Sequence, residues 1–99
     1  MTEGLCNPRL KEVKVKFYPN ACVSLPSCYS YRPHFVVNGD DELLGVEFLE
    51  LDLQEFNVFG EAIVRLVYDK VGYHKLEKGV CFTIVEGGRI VVGEGYVLE

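Results

Sequence analysis

The sequence has no run approaching the ~18 apolar residues that a membrane-spanning helix requires. Its first ten residues also lack the apolar core of a signal peptide. Positive charge is scarce, because ten basic residues stand against fifteen acidic ones and leave a net charge of −5. That balance opposes general attraction to nucleic-acid phosphates. These absences predict a cytoplasmic protein with no membrane partner.

Closely spaced metal or disulfide ligands are also missing. The four cysteines are Cys6, Cys22, Cys28 and Cys81. Five residues separate Cys22 from Cys28, and five separate Cys28 from His34. These three residues are candidates for a metal site, with His74 or another cysteine as fourth ligand, or for a thiol nucleophile with a histidine base. Because zinc sites have tighter ligand pairs and no third orienting group is evident, we predict no metal, no cofactor and no catalytic residue.

A helical repeat of apolar residues is absent as well, and period-two alternation takes its place. Val13, Val15 and Phe17 alternate with Lys14 and Lys16, as in a half-buried strand. The sequence predicts six strands, at 11–18, 33–37, 43–53, 61–70, 79–86 and 89–98. Turn residues at short spacing between them indicate an antiparallel barrel or sandwich.

The length of 99 residues indicates one domain. We assign residues 1–10 to a loosely attached lead-in and residues 11–99 to the domain. A change of parity near Phe48 and Leu49 predicts a β-bulge in the third strand. The residues predicted to be largely buried are Val15, Phe17, Phe35, Val64, Leu66, Phe82 and Ile84.

A glycine pair divides the last two predicted strands. A tight hairpin turn needs left-handed backbone angles, which Gly87 or Gly88 adopts without steric cost. Glu86 and Arg89 then face each other at the mouth of the turn and can form an ion pair. These four residues are a candidate recognition tip, and the alternative is that they only suit a tight turn.

Other candidate binding residues lie upstream. Tyr31 and Arg32 are candidates for contact with a partner, and the alternative for Arg32 is that it packs its stem on the barrel and pairs with a carboxylate. Lys11, Lys14 and Lys16 form a basic stripe, which is typical of a solvated strand face and, as the alternative, of an RNA-binding surface.

Several motifs resemble the third domain of elongation factor Tu. Residues Tyr31–Phe35 are similar to its Tyr-Arg-Pro-Gln-Phe stretch, and Phe82–Arg89 to its Phe-x-Ile-x-Glu-Gly-Gly-Arg hairpin. Val92–Gly95 is similar to its Val-Gly-x-Gly, and Phe56–Glu61 to a segment that more usually ends in Pro-Gly-Asp. The order and approximate spacing agree from about residue 11 to residue 98.

The resemblance implies a six-stranded antiparallel closed β-barrel. In the family this barrel contacts the T stem of aminoacyl-tRNA, the GTPase domain and the nucleotide exchange factor. The tRNA contact falls partly on the hairpin, at positions matching Glu86 and Gly87. Where the family has a Gly-Arg-His-Thr-Pro-Phe loop near the RNA, this chain has residues Cys22–Ser27, without cation or histidine. One added residue between Arg89 and Gly93 predicts a bulge in the last strand.

No segment resembles the phosphate-binding loop Gly-x-x-x-x-Gly-Lys-Ser/Thr, so we expect this chain by itself neither to bind nor to hydrolyse GTP. We therefore expect a non-catalytic, translation-related barrel that binds a protein, such as a translation factor or GTPase. RNA binding, specifically of tRNA, is the alternative hypothesis, and a thiol- or metal-dependent enzyme is the third.

Overall fold

The computed structural model describes residues 9–19, 31–68, 71–87 and 90–98. In chain order the strands are β1 (Leu10–Phe17), β2 (His34–Val37), β3 (Leu44–Asp52), β4 (Gly60–Leu66), β5 (Cys81–Glu86) and β6 (Ile90–Val97). A short 3₁₀ helix, Val71–Lys75, connects β4 to β5. In the described ranges no helix is long and apolar enough to cross a membrane.

The six strands form a closed barrel in the order β1-β4-β3-β2-β5-β6, and every pair is antiparallel. Among the described strands, each has a hydrogen-bonded neighbour on both sides, so none of them is an edge strand. The prediction of a six-stranded antiparallel closed barrel is confirmed. Most strand limits agree with the prediction to within one residue, and two differ by more. β4 ends at Leu66 rather than at residue 70, and β5 begins at Cys81 because Gly79, with a φ of +88°, lies in a turn.

Two β-bulges interrupt the strand pairing, both where the sequence predicts them. In β3, Phe48 pairs with Val64 and Glu50 with Ile63, which leaves Leu49 as the extra residue. In β6, Val91 pairs with Val85 and Gly93 with Ile84 of β5. Val92 lies between them and has no counterpart on β5. A bulge bends its strand and increases the local twist, which helps a small sheet to close on itself.

The barrel interior is filled by alternate residues of all six strands. All seven residues predicted to be buried are buried. Phe48 lies at the centre of an aromatic cluster, with ring centroids 6.2 Å from Phe17, 5.4 Å from Tyr31 and 6.0 Å from Phe35. Aromatic pairs in such tilted or edge arrangements stabilise a core beyond the area that they bury.

The end of the barrel near the 3₁₀ helix is closed by Tyr73, which is buried. Its hydroxyl donates to the Gly45 carbonyl and accepts from the Tyr68 amide at 3.1 Å. On the same side, Arg9 donates to the carbonyls of Val67 at 3.3 Å and Tyr68 at 3.0 Å. Arg9 and Leu10, which the sequence assigns to the lead-in, are therefore attached to the barrel.

Candidate functional site

The opposite end of the barrel, here called the hairpin end, brings together two of the predicted binding residues. His34 of β2 pairs with Val85 of β5, so the chain that enters β2 runs beside the β5–β6 turn. As a result the Tyr31 hydroxyl donates a hydrogen bond of 2.6 Å to the Glu86 carboxylate, across 55 residues of sequence. A charge-assisted hydrogen bond of this length holds the carboxylate in one orientation.

Tyr31 has a structural role in addition to this hydrogen bond. Its ring packs against Phe17 at 6.0 Å and Phe48 at 5.4 Å, which closes the barrel at the hairpin end. The side chain is half-buried, so only part of it is available to a partner. Tyr31 therefore positions Glu86 more than it presents a surface of its own.

Gly87 follows Glu86 and turns the chain with a φ of +51°. This is the left-handed region that the sequence predicts for the turn, and glycine occupies it without strain. No atom lies within 4 Å of the position that a Cβ would take, so this residue faces open space. Gly88 and Arg89 lie outside the described residues, and with them the predicted ion pair between Glu86 and Arg89.

Two exposed aliphatic residues, Ile90 and Val91, continue the hairpin end beyond the turn. Ile90 is 60% exposed and Val91 is 47% exposed, although both belong to β6. The bulge explains their position, because Val92 turns into the core while the two residues before it stay outside. They are not among the binding residues predicted from the sequence, although the sequence carries a signal for them. Three consecutive aliphatic residues cannot all face inward on one strand.

Arg32 lies elsewhere, on the outer wall of the barrel. Its guanidinium is 3.4 Å from Glu47, which also accepts a hydrogen bond of 3.1 Å from Arg65. The hydrogen bond from Arg65, assisted by the charge of Arg32, lowers the pKa of Glu47. Arg32 thus pairs with a carboxylate, as one of its two interpretations predicts, and its contact with a partner stays a prediction.

The positive charge of the basic stripe on β1 is partly neutralised by a carboxylate of β6. Lys16 is 3.4 Å from Glu94, and its ammonium lies 4.8 Å from the centroid of the Phe59 ring. Glu94 also accepts a hydrogen bond of 2.5 Å from the Tyr18 hydroxyl. This hydrogen bond lowers the pKa of Glu94. The lysines of β1 therefore do not form an uninterrupted cationic surface.

The Tyr18–Glu94 contact predicts a pH dependence of stability. Burial, followed by the Glu94 hydrogen bond, raises the pKa of Tyr18 from 10.0 to about 12. The resulting contribution to stability is complete below the unfolded pKa and is lost as the pH rises through the folded pKa. We expect the unfolding free energy of the unmodified protein to fall more steeply above about pH 10 than that of Tyr18→Phe. Urea titrations across that range measure both slopes, and identical slopes would contradict the prediction.

The candidate thiol and metal residues are only partly described. Cys6, Cys22 and Cys28 lie outside the described residues. Cys81 is exposed on β5 with a free thiol, and His74 is exposed in the 3₁₀ helix. Among the described residues, no three His, Cys, Asp or Glu side chains are grouped so that they could hold a metal ion.

Comparisons with protein-family models, with curated proteins and with solved structures give no significant match to this chain. The resemblance to the third domain of elongation factor Tu therefore depends on the sequence motifs themselves. The closed barrel is the fold that those motifs imply.

Proposed function

We propose that this barrel is a non-catalytic module that binds a protein of the translation apparatus through its hairpin end. The observation that carries the proposal is the exposure of Ile90 and Val91 next to Glu86 and Gly87. Protein interfaces commonly combine a small apolar centre with a polar rim, and this surface has both. The connection with translation comes from the resemblance of the Tyr31–Phe35 and Phe82–Arg89 motifs.

The physical argument is that exposed aliphatic side chains gain free energy when a partner covers them. Complete burial of an exposed Ile or Val side chain contributes ~1.5–3 kcal/mol. The carboxylate of Glu86 is held by Tyr31 before a partner arrives, so little additional ordering is needed there. Gly87 adds no side chain that would keep a partner away from the backbone.

RNA is the alternative ligand. The net charge of −5 disfavours it, because binding to a nucleic-acid backbone depends on neutralising phosphates. In addition, the described part of the hairpin end presents a carboxylate, Glu86, at its tip.

The test is affinity capture from a lysate of the source cells, with three forms of the protein. The double variant Ile90→Ser/Val91→Ser removes the apolar centre. The control is Val71→Ser, which changes an aliphatic residue that is 82% exposed on the 3₁₀ helix, away from the hairpin. We expect the unmodified protein and the control to retain the same translation protein, and the double variant to lose it with its melting temperature unchanged.

Two results would contradict the proposal. One is equal retention by the double variant and the control. The other is release of the captured material by nuclease, which would favour the RNA hypothesis instead.

A further inference from the structure

A second surface lies on the outer wall of the barrel, where two arginines from distant parts of the chain meet at one carboxylate and a third holds the segment after β4. We call it the arginine wall and define it by Arg9, Arg32, Arg65, His34 and Tyr68. Arg65 of β4 lies opposite Glu47 of β3, and Arg32 reaches the same carboxylate from the segment before β2. Arg9 contacts the Tyr68 carbonyl beyond the end of β4.

The floor of the arginine wall is Gly45 of β3. A Cβ at this position would lie 2.7 Å from Cε2 of Tyr68 and 3.6 Å from Cδ2 of His34. Because Gly45 has no side chain, the Tyr68 ring lies directly against the strand, and 53% of the residue stays exposed. A depression of about 50 Å³ lies between this ring and Arg32. The surface thus has an exposed aromatic ring and a guanidinium beside one small hollow.

The charge of the arginine wall is opposite in sign to that of the whole protein. The two guanidinium groups of Arg65 and Arg32 share the single carboxylate of Glu47, which leaves a net positive charge there. The Arg32 side chain is 58% exposed, so its outer donors face solvent. A guanidinium has five N–H donors, and one contact of 3.4 Å leaves most of them for a ligand.

We propose that the arginine wall binds a short carboxylate-rich segment of the protein partner. This inference depends on the proposed function, because it assigns chemistry to that same partner. Arg32 and Arg65 would form charge-assisted hydrogen bonds with partner carboxylates, and the Tyr68 ring would contact an adjacent apolar side chain. Arginine and tyrosine are also the residue types that most often dominate binding energy at protein interfaces.

A nucleic acid fits this surface less well, because the positive area is small. Farther along β3 and β4, on the same outer wall, these strands and β1 line a groove of about 330 Å³. The carboxylates of this groove are Glu12, Glu50, Asp52 and Glu61. Rows of outward side chains on a strand are only ~7 Å apart. A phosphate backbone carries charge along its whole length and would extend over these carboxylates. A short acidic segment needs only two or three charges and can end before it reaches them.

The test measures fluorescence anisotropy with two probes, a short labelled peptide rich in Asp and Glu and a single-stranded RNA of equal length. We expect the unmodified protein to bind the peptide despite its own negative charge. Arg32→Glu should weaken that affinity by about tenfold or more, because it removes a guanidinium donor and repels the ligand. Arg32→Lys should give an intermediate affinity, since lysine keeps the charge but not the planar donor array.

The matched control is Lys78→Glu, which makes the same change of charge at an exposed residue between the 3₁₀ helix and β5. It should change peptide affinity by less than about twofold, because Lys78 does not line the hollow beside Arg32 and an exposed charge acts on a ligand only weakly through salt solution. Melting temperatures of all variants establish that each is folded.

Three outcomes would overturn the inference: no binding of the peptide, equal losses with Arg32→Glu and Lys78→Glu, or Arg32-dependent binding of the RNA in preference to the peptide. Each leaves the proposed function separately testable, because Ile90→Ser/Val91→Ser changes the hairpin end and not the arginine wall. Capture that depends on Ile90 and Val91, without Arg32-dependent peptide binding, would contradict this inference alone. Arg32-dependent peptide binding by the hairpin variant would support it.

Discussion

Replacement of Phe48 by alanine is expected to lower the free energy of unfolding by about 3–5 kcal/mol. Phe48 is completely buried and its ring contacts three other aromatic rings, so truncation leaves a cavity that its neighbours cannot fill. Small domains are stable by only about 5–15 kcal/mol. Phe48→Ala is therefore expected to bring the barrel close to unfolding at room temperature.

Urea titration followed by tyrosine fluorescence measures this effect, and Phe59→Ala is the matched control. The Phe59 residue is 39% exposed and its ring contacts Tyr96 at the outer surface, with centroids 5.6 Å apart. The same truncation there should cost less than half as much, because less apolar area returns to water. Phe48→Leu keeps most of the buried volume and should give a folded variant of intermediate stability. Equal losses for Phe48→Ala and Phe59→Ala would contradict the central position of Phe48.

Substitution of Gly95 by alanine is expected to destabilise the barrel by about 1–3 kcal/mol, through strain where β1 and β6 close it. A Cβ on Gly95 would lie 2.3 Å from the Lys14 carbonyl oxygen and 2.9 Å from Cζ of Phe82. The first contact is with the backbone of the neighbouring strand, which cannot move away by changing a side-chain rotamer. β1 must therefore shift relative to β6, and the shift disturbs pairs such as Val15 with Gly95.

Gly87→Ala separates this steric effect from the conformational preference of glycine. Gly87 has a φ of +51° and no atom within 4 Å of its Cβ position, so alanine there encounters only the left-handed backbone penalty of roughly 1–2 kcal/mol. Amide hydrogen exchange distinguishes the two variants. Gly95→Ala should increase exchange along β1 and β6, whereas Gly87→Ala should affect residues near the turn. Unchanged protection of β1 in Gly95→Ala would contradict the steric explanation.

Much of the fold could be predicted from the sequence because its determinants are local. Alternation of apolar and polar residues depends only on neighbours in the chain, and it located all six strands and the seven buried residues. The change of parity at Phe48 and Leu49 likewise indicated the bulge in β3. A glycine at the β5–β6 turn indicated positive φ, which Gly87 has.

The candidate surfaces depended on the tertiary structure, because they are formed by residues far apart in the chain. Tyr31 meets Glu86 only because β2 pairs with β5 in one particular register. Val91 lies outside because it precedes the buried Val92, and the bulge at Val92 keeps Ile90 outside as well, where regular alternation would turn it inward. The arginine wall requires β3 to lie between β4 and β2, because Arg65 of β4 and Arg32 before β2 then reach Glu47 of β3 from its two sides. Local sequence patterns specify strands and turns, whereas strand order and register determine which side chains share a surface.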